Sequence, residues 1–135
     1  MPVLGLDYGS ARTGVAISDP TMTLARPLEV IERASSDAGL AELAALVSEH
    51  DVGCVVVGLP LTLRGEHGEQ AVATEAFVGA LRARIAVEVE TFDERFTTTL
   101  AARTSSATPE DALAAAHLLQ GWLDRRASTS GERRL

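Results

Sequence analysis

The feature that most constrains this fold is the run from Val3 to Asp19, in which two apolar segments flank a short glycine-bracketed connection. The first segment, 3–7, suits a buried strand, and the second, 13–18, suits a strand paired with it. Glycine permits the close backbone approach that such a turn requires. Asp7 ends the first apolar segment, and a carboxylate is costly to bury without a cation or hydrogen-bond donor. The run predicts a β-hairpin in which Asp7 is either a turn residue or a ligand holding a metal ion against a phosphate.

Length and composition bound the class of protein. A chain of 135 residues is expected to be one domain, 1–126, followed by a flexible tail, 127–135. No apolar run is long enough to span a bilayer, and the N-terminus enters a strand without a secretory leader. Cys54 has no partner for an internal disulfide and lies in an apolar run, which predicts a small buried residue. A cytoplasmic protein without a membrane partner is the expectation.

The charge bears on possible partners. The net charge is −7, and all 12 basic residues are arginine. An acidic total argues mildly against non-specific nucleic-acid binding, which depends on phosphate neutralisation. A local arginine cluster around a metal site can still bind nucleic acid.

The remaining chain alternates helices and strands. Periodicity predicts a third strand over 28–31, then a helix capped by Ser36, a strand over 54–57, a second helix, a strand over 87–92, a short helix over 98–103 and a last helix from Thr108 to about Arg126. Strands joined directly are expected to be antiparallel, and strands joined through helices parallel. The prediction is an α/β fold with a five-stranded mixed sheet, three antiparallel strands and then parallel ones, and helices on both faces.

Four acids could converge at one edge of that sheet: Asp7, Asp93, Glu94 and Asp111. Ligands of open α/β sheets bind beyond the carboxyl ends of the strands, where Asp7, Asp93 and Glu94 fall. Carboxylates suit Mg²⁺ or Mn²⁺, and several of them can hold two ions for phosphodiester cleavage. The structural alternatives are a capping role for Asp111, a turn role for Asp93 and an exposed ion pair between Glu94 and Arg95.

Three arginines, Arg12, Arg64 and Arg95, lie in or beside the loops that carry these acids. A guanidinium can bind phosphate through two parallel hydrogen bonds. Each arginine taken alone is more often a solvated surface charge, so the residues leave both interpretations open.

Four blocks of the sequence resemble the YqgF/RuvX family of small bacterial proteins. In chain order they run from Leu6 to Asp19, from Val57 to Leu61 with Gly65 and Gly68, from Asp93 to Thr98, and from Asp111 to Ala115 with Leu119, Gln120 and Leu123. Each block alone is weak, but four blocks in order over about 3–125 are specific. The family has an RNase H-like fold, and its members are described as pre-16S rRNA nucleases and, earlier, as Holliday junction resolvases.

The resemblance implies a metal-dependent nuclease with a two-metal-ion mechanism that uses Mg²⁺ or Mn²⁺. The acidic family positions correspond to Asp7, Asp93, Glu94 and Asp111, of which Asp7, Glu94 and Asp111 are taken as metal ligands. Arg12 and Arg95 match basic positions expected to contact phosphate. Arg64, in the loop after Pro60, and Thr97, in the third block, complete the expected substrate-binding set.

The resemblance, and not the residues themselves, implies the expected substrate: structured RNA, cut during 5′-end processing of pre-16S rRNA in ribosome biogenesis. The alternatives are a Holliday junction resolvase acting on branched DNA, a non-catalytic RNase H-like nucleic-acid-binding module, and a phosphotransferase of the actin/sugar-kinase type. Short length argues against the last, which needs a second domain. Family members often carry a basic stretch before the last acid, whereas 103–110 holds one arginine and an added acid. The active form is expected to be a monomer or a homodimer.

Overall fold

A computed structural model describes residues 1–9, 11–60, 68–93 and 110–133. Within these ranges the elements are β1 (Val3–Asp7), β2 (Arg12–Ser18), β3 (Ala25–Glu32), α1 (Asp37–Glu49), β4 (Cys54–Leu59), α2 (Glu69–Arg82), β5 (Glu88–Asp93) and α3 (Glu110–Arg133). The order of strands and helices confirms the predicted alternation. The expected short helix over 98–103 and the cap at Thr108 lie outside the described residues.

The strands form one five-stranded mixed sheet in the order β3-β2-β1-β4-β5. The β1, β2 and β3 strands pair antiparallel, whereas β4 pairs parallel to both β1 and β5. Because β1, β4 and β5 run in one direction, their carboxyl ends lie at the same edge of the sheet. The predicted mixed sheet is therefore confirmed, and β1 and β4 are its central parallel strands.

Helices cover both faces of the sheet, as predicted. On one face, apolar side chains of α1 and α2 pack against alternate strand residues; the cluster includes Leu4, Leu6, Val55, Val57, Leu43, Phe77 and Leu81. On the other face, α3 packs against the remaining strand residues; that cluster includes Val3, Ala16, Val56, Phe92, Ala115, Leu119 and Trp122. The two-residue repeat of a strand produces this division.

The α3 helix lies close to β1 because Gly5 has no side chain. A Cβ atom at Gly5 would lie 2.7 Å from Cβ of Leu119, closer than side chains approach one another. The apolar repeat of α3 is therefore matched to a glycine in the central strand, which brings the helix axis near the sheet.

The boundaries of several elements differ from the predictions. The α3 helix continues to Arg133, beyond its predicted end near Arg126. Each residue that extends an existing helix adds one backbone hydrogen bond, and this gain does not require an apolar contact. The β3 strand begins at Ala25 and includes Pro27, which an edge strand tolerates. The predicted start of α1 is confirmed, since Ser36 Oγ accepts a hydrogen bond from the Gly39 amide at 3.1 Å.

None of the helices in the described part of the chain has an apolar stretch of the length that a bilayer span requires.

Candidate active site

Asp7 is the last residue of β1, at the carboxyl edge of the parallel strands. Its side chain is half-buried. The two-residue repeat places Asp7 on the face of Val3 and Gly5, which is the face that α3 covers. The carboxylate therefore stands where the central strand ends and the last helix begins.

The start of α3 packs directly onto β2 beside this strand end. Gly14 pairs with Asp7 across the β1–β2 ladder. A Cβ atom at Gly14 would lie 1.7 Å from the carbonyl oxygen of Asp111, so only glycine allows this approach of helix to strand. Cα atoms of paired antiparallel residues are about 5 Å apart. The main chain of Asp111 is thereby held close to Asp7.

Arg12 connects the hairpin to the same helix. Its Nε atom lies 3.4 Å from Oδ2 of Asp111, and the two side chains are 65% and 39% exposed. An ion pair this open to solvent contributes little to folding stability. Its consequence is local, because it places a guanidinium beside the carboxylate at the start of α3.

Asp93 lies at the same edge but farther away. It ends β5 and pairs with Leu59 of β4, so it is two strands across from Asp7, about 10 Å at ordinary strand spacing. Val89 and Phe92 point to opposite faces of the sheet, and the repeat places Asp93 with Val89 on the side of α1 and α2. The structure thus pairs Arg12 with Asp111 and holds the main chain of Asp111 against the ladder partner of Asp7, whereas Asp93 ends a strand two positions across the sheet.

The other predicted site residues fall outside the described residues: Glu94, Arg64, Arg95 and Thr97. The carboxylates that are described fit the metal predicted from the sequence, because Asp7 and Asp111 supply hard oxygen ligands. Both are partly open to solvent, which leaves room for an ion and for substrate.

A cleft that sequence reasoning missed opens on the α2 side of Asp7. It has a volume of about 380 Å³ and is lined by Asp7, Tyr8, Pro60, Glu69 and Gln70, together with the next turn of α2. Tyr8 is the feature of the sequence that could have indicated this cleft, since an aromatic residue directly after the strand-ending Asp7 places a ring beside that carboxylate. Its ring stacks on Phe77, with centroids 4.4 Å apart and planes inclined by 16°.

A separate group of ligand atoms lies at the opposite edge of the sheet. Within the described ranges, Cys54, Glu88 and Glu90 place one potential ligand atom each within 4.8 Å of one another. Burial and the adjacent Glu90 carboxylate raise the pKa of the Cys54 thiol to about 12, so it stays protonated at neutral pH. Cys54 is half-buried rather than fully buried as predicted, because β5 is an edge strand and leaves its amino end open.

Comparison with curated proteins gives consistent relatives. A protein of Chloroflexus aggregans named "Putative pre-16S rRNA nuclease" is 46% identical over 133 residues, covering 92% of this chain and 94% of the relative. A protein of the same name from an Anaeromyxobacter species is 44% identical over 135 residues, covering 93% and 98%.

Two solved structures that share this fold contain a Holliday junction. Thermus thermophilus RuvC in complex with a Holliday junction substrate superposes with a TM-score of 0.62 at 18% identity, covering 96% of this chain and 97% of RuvC. The Fowlpox virus resolvase in complex with Holliday junction DNA gives a TM-score of 0.56 at 10% identity, covering 93% and 99%. At these identities the likeness shows the fold alone, which confirms the RNase H-like prediction.

The family model described as "RuvX: Holliday junction resolvase" matches residues 1–125. Nearly the whole chain is therefore accounted for by one family and by relatives with more than 40% identity. The chain belongs to the RuvX family and is a nuclease, a hydrolase of phosphodiester bonds built on an RNase H-like fold.

Proposed function

We propose that this protein is a divalent-metal-dependent nuclease that processes the 5′ end of precursor 16S rRNA in the cytoplasm, with its metal centre between Asp7 and the start of α3. The curated relatives carry the name of that activity. The observation that carries the site assignment is the packing of Asp111 onto Gly14, opposite Asp7 in the ladder. This packing joins residues distant in sequence into one group of carboxylates beside an arginine.

Asp7 and Asp111 are the first two proposed ligands of the metal. The family is dependent on a divalent metal, and carboxylate oxygens favour Mg²⁺ or Mn²⁺ over zinc. Bound there, the ions would polarise the scissile phosphate and stabilise the attacking and leaving oxygens. The two carboxylates orient this chemistry, because one is carried by the central strand and the other by the helix packed on it.

We assign Glu94, rather than Asp93, as the third metal ligand. Asp93 shares a face with Val89, away from α3. Glu94 is the other acid in the block that resembles the family. Glutamate is also one methylene longer than aspartate, so its carboxylate has the greater reach. Asp93 then has a supporting role at the strand end.

Arg12 is the proposed phosphate contact. Its side chain is 65% exposed, so it can turn from Asp111 toward a phosphate without leaving a buried charge unpaired. Arg64, Arg95 and Thr97 are proposed as further substrate contacts, on the family resemblance of their blocks. A small number of arginine contacts is compatible with a net charge of −7, because the attraction of an arginine for a phosphate acts locally.

The test is cleavage of a labelled pre-16S leader hairpin, a single-stranded RNA and a four-way DNA junction with Mn²⁺, Mg²⁺ or EDTA. We expect metal-dependent cutting of the RNA hairpin, and a fall of at least about hundredfold in Asp7→Asn, because a neutral amide replaces a charged ligand. Asp51→Asn is the matched control, since Asp51 is exposed beyond α1 and its left-handed backbone (φ 53°) suits asparagine.

Three other results would contradict parts of this proposal. Cutting of the junction in preference to RNA would replace the rRNA proposal with a resolvase activity. Binding without cutting of any substrate would identify a non-catalytic nucleic-acid-binding module. Cleavage that persists in EDTA would contradict the metal centre.

A further inference from the structure

The cleft between Tyr8 and the start of α2 has the size and chemistry of a nucleoside subsite. Its volume of about 380 Å³ lies within the range of small-molecule pockets. Asp7 forms part of its lining, so a group bound there adjoins the proposed metal centre. The charge and shape of the cleft determine which part of a nucleic acid can bind there.

The charge of the cleft disfavours a phosphate. Among the residues that the structure describes, its lining contains the carboxylates of Asp7 and Glu69 and no arginine. Arg12 lies beside Asp111, and neither residue is part of that lining. A nucleotide chain crossing Asp7 would therefore place its phosphate toward Arg12 and a neutral sugar and base toward the cleft.

The wall of the cleft is held rigidly. Phe77, which supports the Tyr8 ring, is 2% exposed. Thr74 is also buried, and its hydroxyl donates to the Gln70 carbonyl at 2.7 Å, which fixes the first turn of α2. Glu69 and Gln70 themselves are exposed and point their polar groups where a ligand can reach them. A preorganised wall with exposed polar side chains lowers the cost of ordering a ligand.

We propose that the cleft binds the ribose of a nucleotide next to the scissile phosphate, and that the Glu69 carboxylate accepts a hydrogen bond from its 2′-hydroxyl. An ionised carboxylate can only accept hydrogen bonds, so it requires a donor. A ribose supplies that donor and a deoxyribose does not, which makes the cleft a means of selecting RNA over DNA. The inference rests on the proposed nuclease function and specifies the substrate class of that site.

The experiment first maps the cut in the leader hairpin and then compares that RNA with versions carrying one 2′-deoxynucleotide on either side of the cut. Single-turnover rates with Mn²⁺ are measured for wild type, Glu69→Ala and Glu75→Ala. We expect one deoxy substitution to slow wild type about ten- to hundredfold, the worth of a hydrogen bond to a charged group. In Glu69→Ala the rate on the RNA and the rate on the deoxy version that slows wild type should become equal. Glu75 is exposed on α2 outside the cleft, and Glu75→Ala should keep the discrimination.

Failure of the subsite differs from failure of the nuclease proposal. Equal wild-type rates on RNA and both deoxy versions, or discrimination retained in Glu69→Ala, would overturn the subsite while leaving the nuclease intact. If nothing is cut, fluorescence anisotropy in Ca²⁺ with RNA and DNA of one sequence decides the matter. A preference for RNA that Glu69→Ala abolishes supports the subsite, and equal affinities contradict it.

Discussion

At the scale of single residues, two glycines position the site as much as the carboxylates do, because their lack of a side chain lets α3 approach the sheet. Gly14 lies under the Asp111 carbonyl, and Gly5 lies under Leu119. In the sequence, Gly14 is one of the two glycines that bracket the connection between the first two apolar segments. Its decisive property is instead the space it leaves for a helix that begins almost one hundred residues later.

Gly14→Ala should destabilise the fold and displace the start of α3. The added Cβ would overlap backbone atoms that cannot move independently, and overpacking of this kind costs about 2 kcal/mol or more. Gly79→Ala is the control: Gly79 is an exposed residue in α2 with nothing within 4 Å of an added Cβ, and alanine there should stabilise by about 0.5–1 kcal/mol. Urea unfolding measures both. Equal stability of the two variants would contradict the packing argument.

Asp19 is expected to make the stability of the fold depend on pH in the acidic range. The hydroxyl of Thr21 and the amides of Leu24 and Thr23 donate to its carboxylate and lower its pKa from 3.8 to about 2. These bonds require the ionised form, so their contribution to stability is complete above about pH 4 and is lost as the pH falls toward 2. Melting temperatures between pH 5 and pH 2 should fall less steeply in Asp19→Asn than in wild type. Parallel curves would show that the loop does not depend on this charge.

At the scale of elements, α3 joins the two halves of the chain. It packs across β1, β2 and β3, and its Gln120 side chain fastens the turn between β2 and β3. Gln120 accepts from the Ala25 amide at 2.9 Å and donates to the Thr23 carbonyl at 3.0 Å. The side-chain amide thereby pairs with one backbone N–H and one backbone carbonyl near the edge of the sheet, as a neighbouring strand would.

Gln120→Ala should loosen that turn. Loss of two hydrogen bonds to backbone groups is expected to cost about 1–2 kcal/mol and to speed hydrogen exchange at the Ala25 amide. Asp124→Ala is the control, because Asp124 contacts the same amide nitrogen from the exposed side and its loss leaves both turn bonds in place. If hydrogen exchange at the Ala25 amide is unchanged in Gln120→Ala, the turn is stable without the hydrogen bonds of Gln120.

At the scale of the whole molecule, charge determines how nucleic acid is bound. The chain carries a net charge of −7, so we expect binding to come from the arginines proposed as phosphate contacts and not from the general surface. If Arg12, Arg64 and Arg95 each neutralise one phosphate, the salt slope for single-stranded RNA is roughly −2, at about −0.7 per contact.

RNA affinity measured from low to moderate salt tests this. Arg12→Gln should reduce the magnitude of the slope by about 0.7, because one phosphate contact is lost. Arg26→Gln should leave the slope unchanged, since Arg26 is exposed on β3 opposite Ile17, toward the other edge of the sheet. A slope of about −5 or steeper would show that a much larger surface contacts the phosphates.

The sequence by itself determined the class of fold and the order of its elements. Apolar runs of two-residue and helical period, such as Cys54 to Val57 and the Leu40–Leu46 stripe, are local properties and could be read directly. It also marked Asp7, Arg12 and Asp111 through the four family blocks. Element ends were less predictable, as α3 shows, because helix extension needs no apolar signal.

Only the tertiary structure decided which of these residues meet. Convergence depends on strand order, register and the face to which each side chain points, and none of these is encoded within a short window of sequence. Register places Gly14 opposite Asp7, close packing places Asp111 on Gly14, and alternation separates Asp93 from both. The cleft beside Tyr8 arises in the same way, because its walls come from the end of β1, from Pro60 directly after β4 and from α2, which only folding brings together.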